Sequence, residues 1–139
     1  MKVVNLLGDR YMEIKDIVLE LWKDIIEQNP KKLKRYFNSN AIINWHNTNE
    51  SFTVEEYIIA NCEYPGNWCG EVEKLEVIGD LAISVTRVWL SDNSSSFHAT
   101  SFIRFSGEKI ISIDEYWGDD TNPPQWRVDK KIGKPIKLV

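Results

Sequence analysis

The stretch FIRFSGEKIISIDEYWGDD, residues 102–120, contains the pattern that decides the fold. Branched and aromatic residues alternate with polar ones on both sides of Ser106-Gly107, which predicts two antiparallel strands joined by a tight turn. The second of these strands carries Glu115 between aromatic and branched apolar residues. A carboxyl group among apolar residues raises the question of which face of the sheet it occupies.

The same period of two continues upstream of this hairpin. GEVEKLEVIGD at 70–80 and LAISVTRVWLSD at 81–92 have strand composition, and the first strand of the hairpin begins near residue 96. Turn-forming residues separate the segments at Gly79-Asp80 and at the stretch DNSSS. The chain from about residue 70 therefore predicts a consecutive antiparallel meander of four strands.

The N-terminal part has a helical period instead. RYMEIKDIVLELWKDIIEQ, residues 10–28, repeats apolar residues every three or four positions, which predicts a long amphipathic helix with Asp9 as its N-cap. Asn29 followed by Pro30 predicts a capped short helix. AIINWHN at 41–47 reads as a strand.

A third helix is predicted over 54–64, because Thr53 and Glu56 have the spacing of a capping box. Helices gathered on one side of a curved antiparallel sheet make an α+β fold. With 139 residues and no repeat or linker, the prediction is one domain over 1–139 with a polar tail from about 128.

Composition excludes several functional classes. A net charge of −4 argues against the basic surface that nucleic-acid binding requires. No apolar run approaches the ~18 residues of a membrane span. Cys62 and Cys69 form no metal or disulfide motif, which favours a reducing cytoplasm. Asp119 and Asp120 lack a third ligand, so neither a metal nor a cofactor is predicted.

The facing of the meander decides the candidate site. In 81–92 the odd positions carry more apolar mass, and they include Arg87 and Trp89. A hairpin centred near Ser94 and another on Gly107 place Ser101 and Glu115 on the same face. The sequence thus predicts Arg87, Ser101 and Glu115 on the covered face. The opposite, outer face is amphipathic enough to pair with a second subunit.

The order of these elements, the entry YFNSNAIINWH into the first strand and the ending of the meander resemble the nuclear transport factor 2-like superfamily, specifically its SnoaL-like members. The resemblance covers about residues 9–127. It implies a cone in which a bent sheet wraps around helices, with a pocket at one end and commonly a homodimer across the outer sheet face. Members include isomerases, dehydratases, cyclases and hydrolases, as well as proteins without catalysis.

Ketosteroid isomerase, a distant member, allows a comparison by residue. Its chemistry requires a carboxylate base, a protonated carboxyl acid and a tyrosine. The matching positions are Trp45 for the base, Ser101 for the acid, and Leu21 or Trp22 for the tyrosine. Because none of these residues can supply the required group, this type of enolisation is not expected. The comparison also directs Trp45, Ser101 and Trp117 toward the pocket.

Two functions follow from different classes. In the first, a cofactor-free isomerase, cyclase or lyase uses Glu115 as general acid or base while Arg87 binds an oxygen of the substrate. In the second, the cavity binds a small apolar or aromatic molecule without chemistry, and Glu115 with Arg87 is a structural ion pair. The residues expected to touch the ligand are Trp45, Ser101, Trp117, Trp22, Trp89 and Tyr57.

Overall fold

The computed structural model describes residues 2–4 and 11–137. The helices are α1 (Ile14–Ile26), α2 (Pro30–Lys34), α3 (Val54–Cys62) and α4 (Gln125–Asp129). The strands are β1 (Lys2–Val4), β2 (Tyr11–Glu13), β3 (Phe37–Trp45), β4 (Glu50–Phe52), β5 (Trp68–Ile78), β6 (Leu81–Leu90), β7 (Ser96–Ser106) and β8 (Lys109–Asp119). No helix in this described part of the chain is long and apolar enough to cross a membrane.

The main sheet has six strands in the order β4-β3-β8-β7-β6-β5. Strands β5 to β8 form the predicted antiparallel meander. Strand β3, from the helical half of the chain, lies parallel to β8 at the edge of that meander. This pairing brings Trp45 directly beside Glu115. The α+β prediction is confirmed, with a curved mixed sheet that does not close into a barrel.

Helix α1 packs on the concave side of the sheet through its apolar stripe. Six apolar residues of the helix are buried as predicted, namely Ile14, Ile17, Val18, Leu21, Trp22 and Ile25. The helix begins later than predicted, at Ile14, because residues 11–13 pair with β1 as strand β2. Its N-cap is therefore Glu13, which makes no side-chain capping bond. The predicted cap, Asp9, lies outside the described residues.

The two shorter helices begin where their caps predict. The Asn29 side chain accepts a hydrogen bond from the Lys32 N–H at 3.2 Å, with Pro30 at the first helical position. At α3 the capping box is complete: Thr53 Oγ1 accepts from the Glu56 N–H, and Glu56 Oε1 accepts from the Thr53 N–H. These bonds satisfy N–H groups that have no partner inside the helix.

The predicted facing of β6 is wrong. Its buried residues are the even-numbered Ala82, Ser84, Thr86 and Val88, while the odd-numbered Arg87 and Trp89 lie on the outer face. There the Arg87 guanidinium lies 4.5 Å from the centre of the Trp89 ring. The apolar mass of the odd residues covers the outside of the sheet, whereas mostly small residues lie on the side of the sheet that faces α1.

The error comes from the turn between β6 and β7. Asn93 adopts a left-handed conformation (φ 63°), and its N–H donates to Leu90 O, so the turn falls before the predicted centre at Ser94. Ser84 consequently lies opposite Ser101, in place of Arg87. A shift of an odd number of residues sends every side chain of a strand to the other face. In β7 and β8 the predicted facing is confirmed, since Ser101 and Glu115 are both buried.

The C-terminal segment is polar and exposed, and α4 has no buried residue. Trp126 on α4 is 58% exposed, so it does not anchor this segment to the body of the protein. The Lys137 ammonium lies 3.4 Å from Glu73 Oε2 on the outer sheet face.

Candidate functional site

Glu115 is a buried carboxyl group on the concave face of β8, only 2% exposed. Its Oε1 accepts a hydrogen bond from the Trp45 indole N–H at 2.9 Å, and its Oε2 lies 2.5 Å from Ser101 Oγ. Trp45 stands next to Glu115 on β3, and Ser101 is directly opposite on β7. Neighbouring strands thus supply one donor each to the carboxyl group.

Burial raises the pKa of Glu115 above its ordinary value, and the hydrogen bonds from Ser101 and Trp45 oppose that rise. Within residues 11–137 no Lys, Arg or His forms an ion pair with this carboxyl group. The indole N–H of Trp117 lies near enough to favour the charged form of Glu115 but makes no hydrogen bond of ordinary geometry. Burial therefore disfavours the charged form of Glu115 relative to a glutamate in water.

A cavity of about 570 Å³ opens next to this group, at the end of the sheet where β3 and β8 terminate. Five aromatic rings line it in a continuous arc, with successive ring centres 5.5 to 6.4 Å apart. In order along this aromatic arc they are Trp45, Trp117, Phe97, Trp68 and Tyr64.

The polar residues of the cavity come from the loops and element ends around it. Two acidic side chains, Glu50 and Asp119, line it together with the amides of Gln28, Asn47 and Asn61. Gln28 ties the end of α1 to the end of α3, because its Nε2 donates to the backbone oxygens of Asn61 and Tyr64 at 2.9 and 2.8 Å. Asn47 Oδ1 accepts from the Trp117 backbone N–H at 2.7 Å. These bonds hold the wall of the cavity in place.

The structure brings together some of the predicted site residues and separates others. Trp45 and Trp117 line the cavity, while Glu115 and Ser101 lie buried behind them and do not reach it. Tyr57 is fully buried in the core, 6.3 Å from Trp45 between ring centres.

The remaining predicted residues lie elsewhere. Arg87 and Trp89 are on the outer face, so the expected pairing of Arg87 with Glu115 is wrong. Trp22 lines a second cavity of about 330 Å³ between α1 and strands β5 and β6. Its indole N–H donates to Ser84 Oγ at 3.2 Å. The hydroxyl group of Thr86, also at this second cavity, is buried and has no hydrogen-bond partner in the described part of the chain.

Sequence reasoning missed most of the polar wall and three rings of the aromatic arc. Tyr64 and Trp68 flank the Pro65-Gly66 break after α3, and an aromatic pair around a loop is a signal that could have been used. Glu50 and Asp119 gave no such signal, because an acidic residue at a strand end is ordinary on a surface.

No protein-family model matches the chain, and no curated protein matches it significantly. Among solved structures, a ketosteroid isomerase-like protein from Kribbella flavida superposes with a TM-score of 0.73 at 16% identity, over 88% of this chain and 89% of that one. An NTF2-like protein of unknown function from Burkholderia xenovorans gives 0.70 at 18% identity, over 88% and 94% of the two chains.

A third structure is a protein described as a SnoaL-like polyketide cyclase, from Shewanella putrefaciens. It superposes with a TM-score of 0.63 at 9% identity, over 74% of this chain and 78% of that one. The chain has the nuclear transport factor 2-like fold. The resemblance predicted from the sequence is thus confirmed at the level of architecture, and at these identities the NTF2-like fold alone does not determine an activity.

Within the NTF2-like fold, the two positions matched to the base and acid of ketosteroid isomerase have a shared role. Trp45 and Ser101 are the two residues that hydrogen-bond to Glu115. Neither matched residue carries a carboxyl group. The buried carboxyl group of this chain belongs to Glu115 on β8, the strand that lies between β3 with Trp45 and β7 with Ser101.

The outer sheet face of this NTF2-like fold carries a separate polar cluster around His98. Its Nε2 lies 2.8 Å from Glu73 Oε1, and its Nδ1 contacts Asp120 Oδ1. The bond to Asp120 is the largest cause that raises the pKa of His98 above its ordinary value. Glu73 points outward because β5 contains a bulge between Val72 and Lys74. This cluster lies on the opposite side of the sheet from Glu115.

Proposed function

We propose that the protein binds a small organic molecule in the cavity bordered by the aromatic arc. The observation that carries this proposal is the arc itself, five rings around about 570 Å³ at the open end of the sheet. Volumes of a few hundred Å³, with an aromatic wall and a few polar groups, are typical of ligand pockets. A core without function would fill such a space with side chains, because protein interiors pack closely.

Catalysis by a cofactor-free isomerase, cyclase or lyase is the alternative, and its support is the buried carboxyl group with a raised pKa. Two observations weigh against catalysis. Glu115 is separated from the cavity by Trp45 and Trp117, and Arg87 lies on the far face of the sheet. A general acid must come within hydrogen-bond reach of its substrate. Binding without chemistry is therefore the better-supported function.

Small-molecule binding has a precedent in a structural neighbour of this chain. A protein with the ketosteroid isomerase-like fold from Catenulispora acidiphila was crystallised in complex with trimethylamine; it is 17% identical, with a TM-score of 0.59 over 72% of this chain and 83% of that one. That observation concerns the other protein, and it supports here only the capacity of such a scaffold to hold a ligand.

The proposal is tested by screening a metabolite library for compounds that raise the thermal midpoint of the wild type and of Trp68→Leu. We expect hits with the wild type and a loss of those hits with Trp68→Leu, which removes one ring of the arc. Trp126→Leu is the matched control, because Trp126 lies exposed on α4 and is not among the residues that line the cavity. Hits that survive Trp68→Leu, or a screen without hits, would contradict binding in this cavity.

The variant Glu115→Gln separates binding from catalysis in the same screen. If Glu115 is structural, the variant retains every hit of the wild type, since the side chain does not reach the cavity. Loss of the hits in Glu115→Gln, with its fold intact by circular dichroism, would favour the catalytic alternative.

We also propose that two copies of the chain pair through the outer sheet face. This face presents exposed apolar side chains on three adjacent strands, Ile42, Phe102 and Tyr116, which are 36 to 46% exposed. Phe102 and Tyr116 lie edge to face with ring centres 6.1 Å apart. An apolar patch of this kind is typical of an interaction surface.

A further inference from the structure

We propose that the ligand of the aromatic cavity is an organic cation, a quaternary ammonium or a protonated amine attached to an apolar or aromatic body. This inference rests on the binding function proposed above and specifies its ligand class. It depends on three properties of the cavity: the sign of the charges around it, the surfaces that its rings present, and the excess of hydrogen-bond acceptors over donors.

The formal charge around the cavity has one sign. Glu50 and Asp119 are acidic, and none of the described residues that line the cavity is Lys, Arg or His. Each acidic residue is the cross-strand partner of a ring in the arc, since Glu50 pairs with Trp45 and Asp119 pairs with Phe97. Cross-strand partners share a face of the sheet, so each carboxylate stands beside an aromatic ring.

The tryptophans offer the ligand their ring surfaces and not their N–H groups. The indole N–H of Trp45 is bonded to Glu115, and that of Trp68 donates to the Pro65 carbonyl oxygen at 3.1 Å. The indole N–H of Trp117 is buried. What remains for a ligand is the carbon surface of these rings, and the faces within that surface attract cations, as in aromatic cages for quaternary ammonium groups.

The amides shift the balance further toward acceptors. Gln28 has used its Nε2 on two carbonyl oxygens, and Asn61 Nδ2 donates to the Tyr57 carbonyl oxygen at 2.8 Å. Gln28 has only its carbonyl oxygen left, and Asn61 has its carbonyl oxygen and one Nδ2 hydrogen. Among the described lining residues, the side-chain donors that remain are this hydrogen, Asn47 Nδ2 and the hydroxyls of Thr48 and Tyr64. An anion would meet carboxylates and ring faces here, whereas a cation meets favourable partners throughout.

The test uses two probes of the same shape, the cation (4-hydroxyphenyl)trimethylammonium and the neutral 4-tert-butylphenol, in which carbon replaces the charged nitrogen. Titration calorimetry on the wild-type protein measures both dissociation constants. We expect the cation to bind at least about tenfold more tightly, because a desolvated cation over an aromatic face gains about that much. Added salt should weaken the cation more than the neutral probe.

Two variants locate the effect. Glu50→Gln and Asp119→Asn should each reduce the affinity for the cation several-fold and leave the affinity for the neutral probe unchanged. Both residues are exposed, so neither change should disturb folding. Asp129→Asn is the matched control, because it removes the same formal charge from α4, outside the cavity.

The outcomes separate this inference from the binding function. If the neutral probe binds as tightly as the cation or more tightly, the inference is wrong and small-molecule binding stands. If neither probe binds, the inference is also wrong, and the library screen alone then determines whether the cavity binds anything. A cation preference that survives both Glu50→Gln and Asp119→Asn would place the cation elsewhere and would likewise overturn the inference.

Discussion

Two neighbouring acidic residues of β8 respond to their surroundings in opposite directions. Glu115 faces the concave side, and burial raises its pKa. Asp114 faces outward, and its pKa is lowered, mainly by the hydrogen bond from His46 at 2.7 Å. The alternation of side chains along a strand is enough to produce this contrast.

The substitution Glu115→Gln is expected to stabilise the protein at pH 8 and not at pH 4. Between the ordinary glutamate value of 4.5 and the higher folded-state pKa, the folded chain holds a proton that the unfolded chain has released, so wild-type stability falls as pH rises. Glutamine carries no charge and escapes this loss. Urea unfolding at both pH values measures the difference, and we expect the variant to be the more stable protein at pH 8 only.

Asp114→Asn is the control on the same strand. Because the folded-state pKa of Asp114 is lowered, this carboxylate stabilises the fold above about 3.8, and the contribution disappears as pH falls through the lower folded value. The variant should therefore lose stability at pH 8. If Glu115→Gln is equally destabilising at pH 4 and pH 8, then Glu115 is ionised and well satisfied, contrary to the site described here.

His98 should titrate above its ordinary value of 6.5, because two carboxylates contact its ring. Its charged form stabilises the fold fully below about 6.5, and this stabilisation is lost as pH rises through the folded pKa. NMR titration of the imidazole signals should show a downward shift of the pKa in Asp120→Asn, and a smaller one in Glu73→Gln. An unchanged pKa in Asp120→Asn would show that the contact to Asp120 is absent in solution.

At this scale the sequence predicted the facing of Glu115 correctly and that of Arg87 incorrectly. Between β7 and β8 the turn lies at Gly107-Glu108, and a bulge between Arg104 and Phe105 shifts the register by one more residue, so Ser101 pairs with Glu115 and the face expected from a centre on Gly107 is kept. The β6–β7 turn has five polar residues, and any of several centres agrees with its composition. Asn93 adopts the left-handed conformation that asparagine tolerates, and that preference was the one local indication of the true register.

At the scale of elements, α3 depends on its N-terminal cap. Only Val54 and Tyr57 of this helix are buried, so packing contributes little at its other positions. We expect Thr53→Ala to lower the free energy of unfolding by about 1 kcal/mol, because it removes the acceptor for the Glu56 N–H. Urea unfolding measures the change, and Thr121→Ala, in the exposed segment before α4, is the control. Equal stability of the two variants would contradict a capping role.

Elements with local signals were predicted well, and elements that depend on distant partners were not. The caps at Asn29 and Thr53 act within three residues, so the sequence displays them directly. Strand β2 interrupts the helical period because residues 11–13 pair with β1, and nothing within 11–13 reveals that partner. The cavity wall has the same difficulty, since its residues come from eight separate elements and the loops between them.

For the whole molecule, the proposed pairing of two copies predicts a dimer in solution that depends on the outer face. Phe102→Lys should shift the mass measured by light scattering from a dimer to a monomer, because it places a charge in the exposed apolar patch. Ile78→Lys is the control, since Ile78 is more exposed than Phe102 and lies at the far edge of the sheet on β5. A wild-type mass of one chain would rule out this pairing.

The place of β3 in the sheet has a consequence for the order in which the protein is made. Trp45 and Glu115 are 70 residues apart, and β3 finds its parallel neighbour only in β8, the last strand of the sheet. During translation the edge of β3 that pairs with β8 stays unpaired until residue 119 has left the ribosome. The aromatic cavity cannot form in a nascent chain that ends before residue 119, so a bound ligand would report that β8 has been made and has paired with β3.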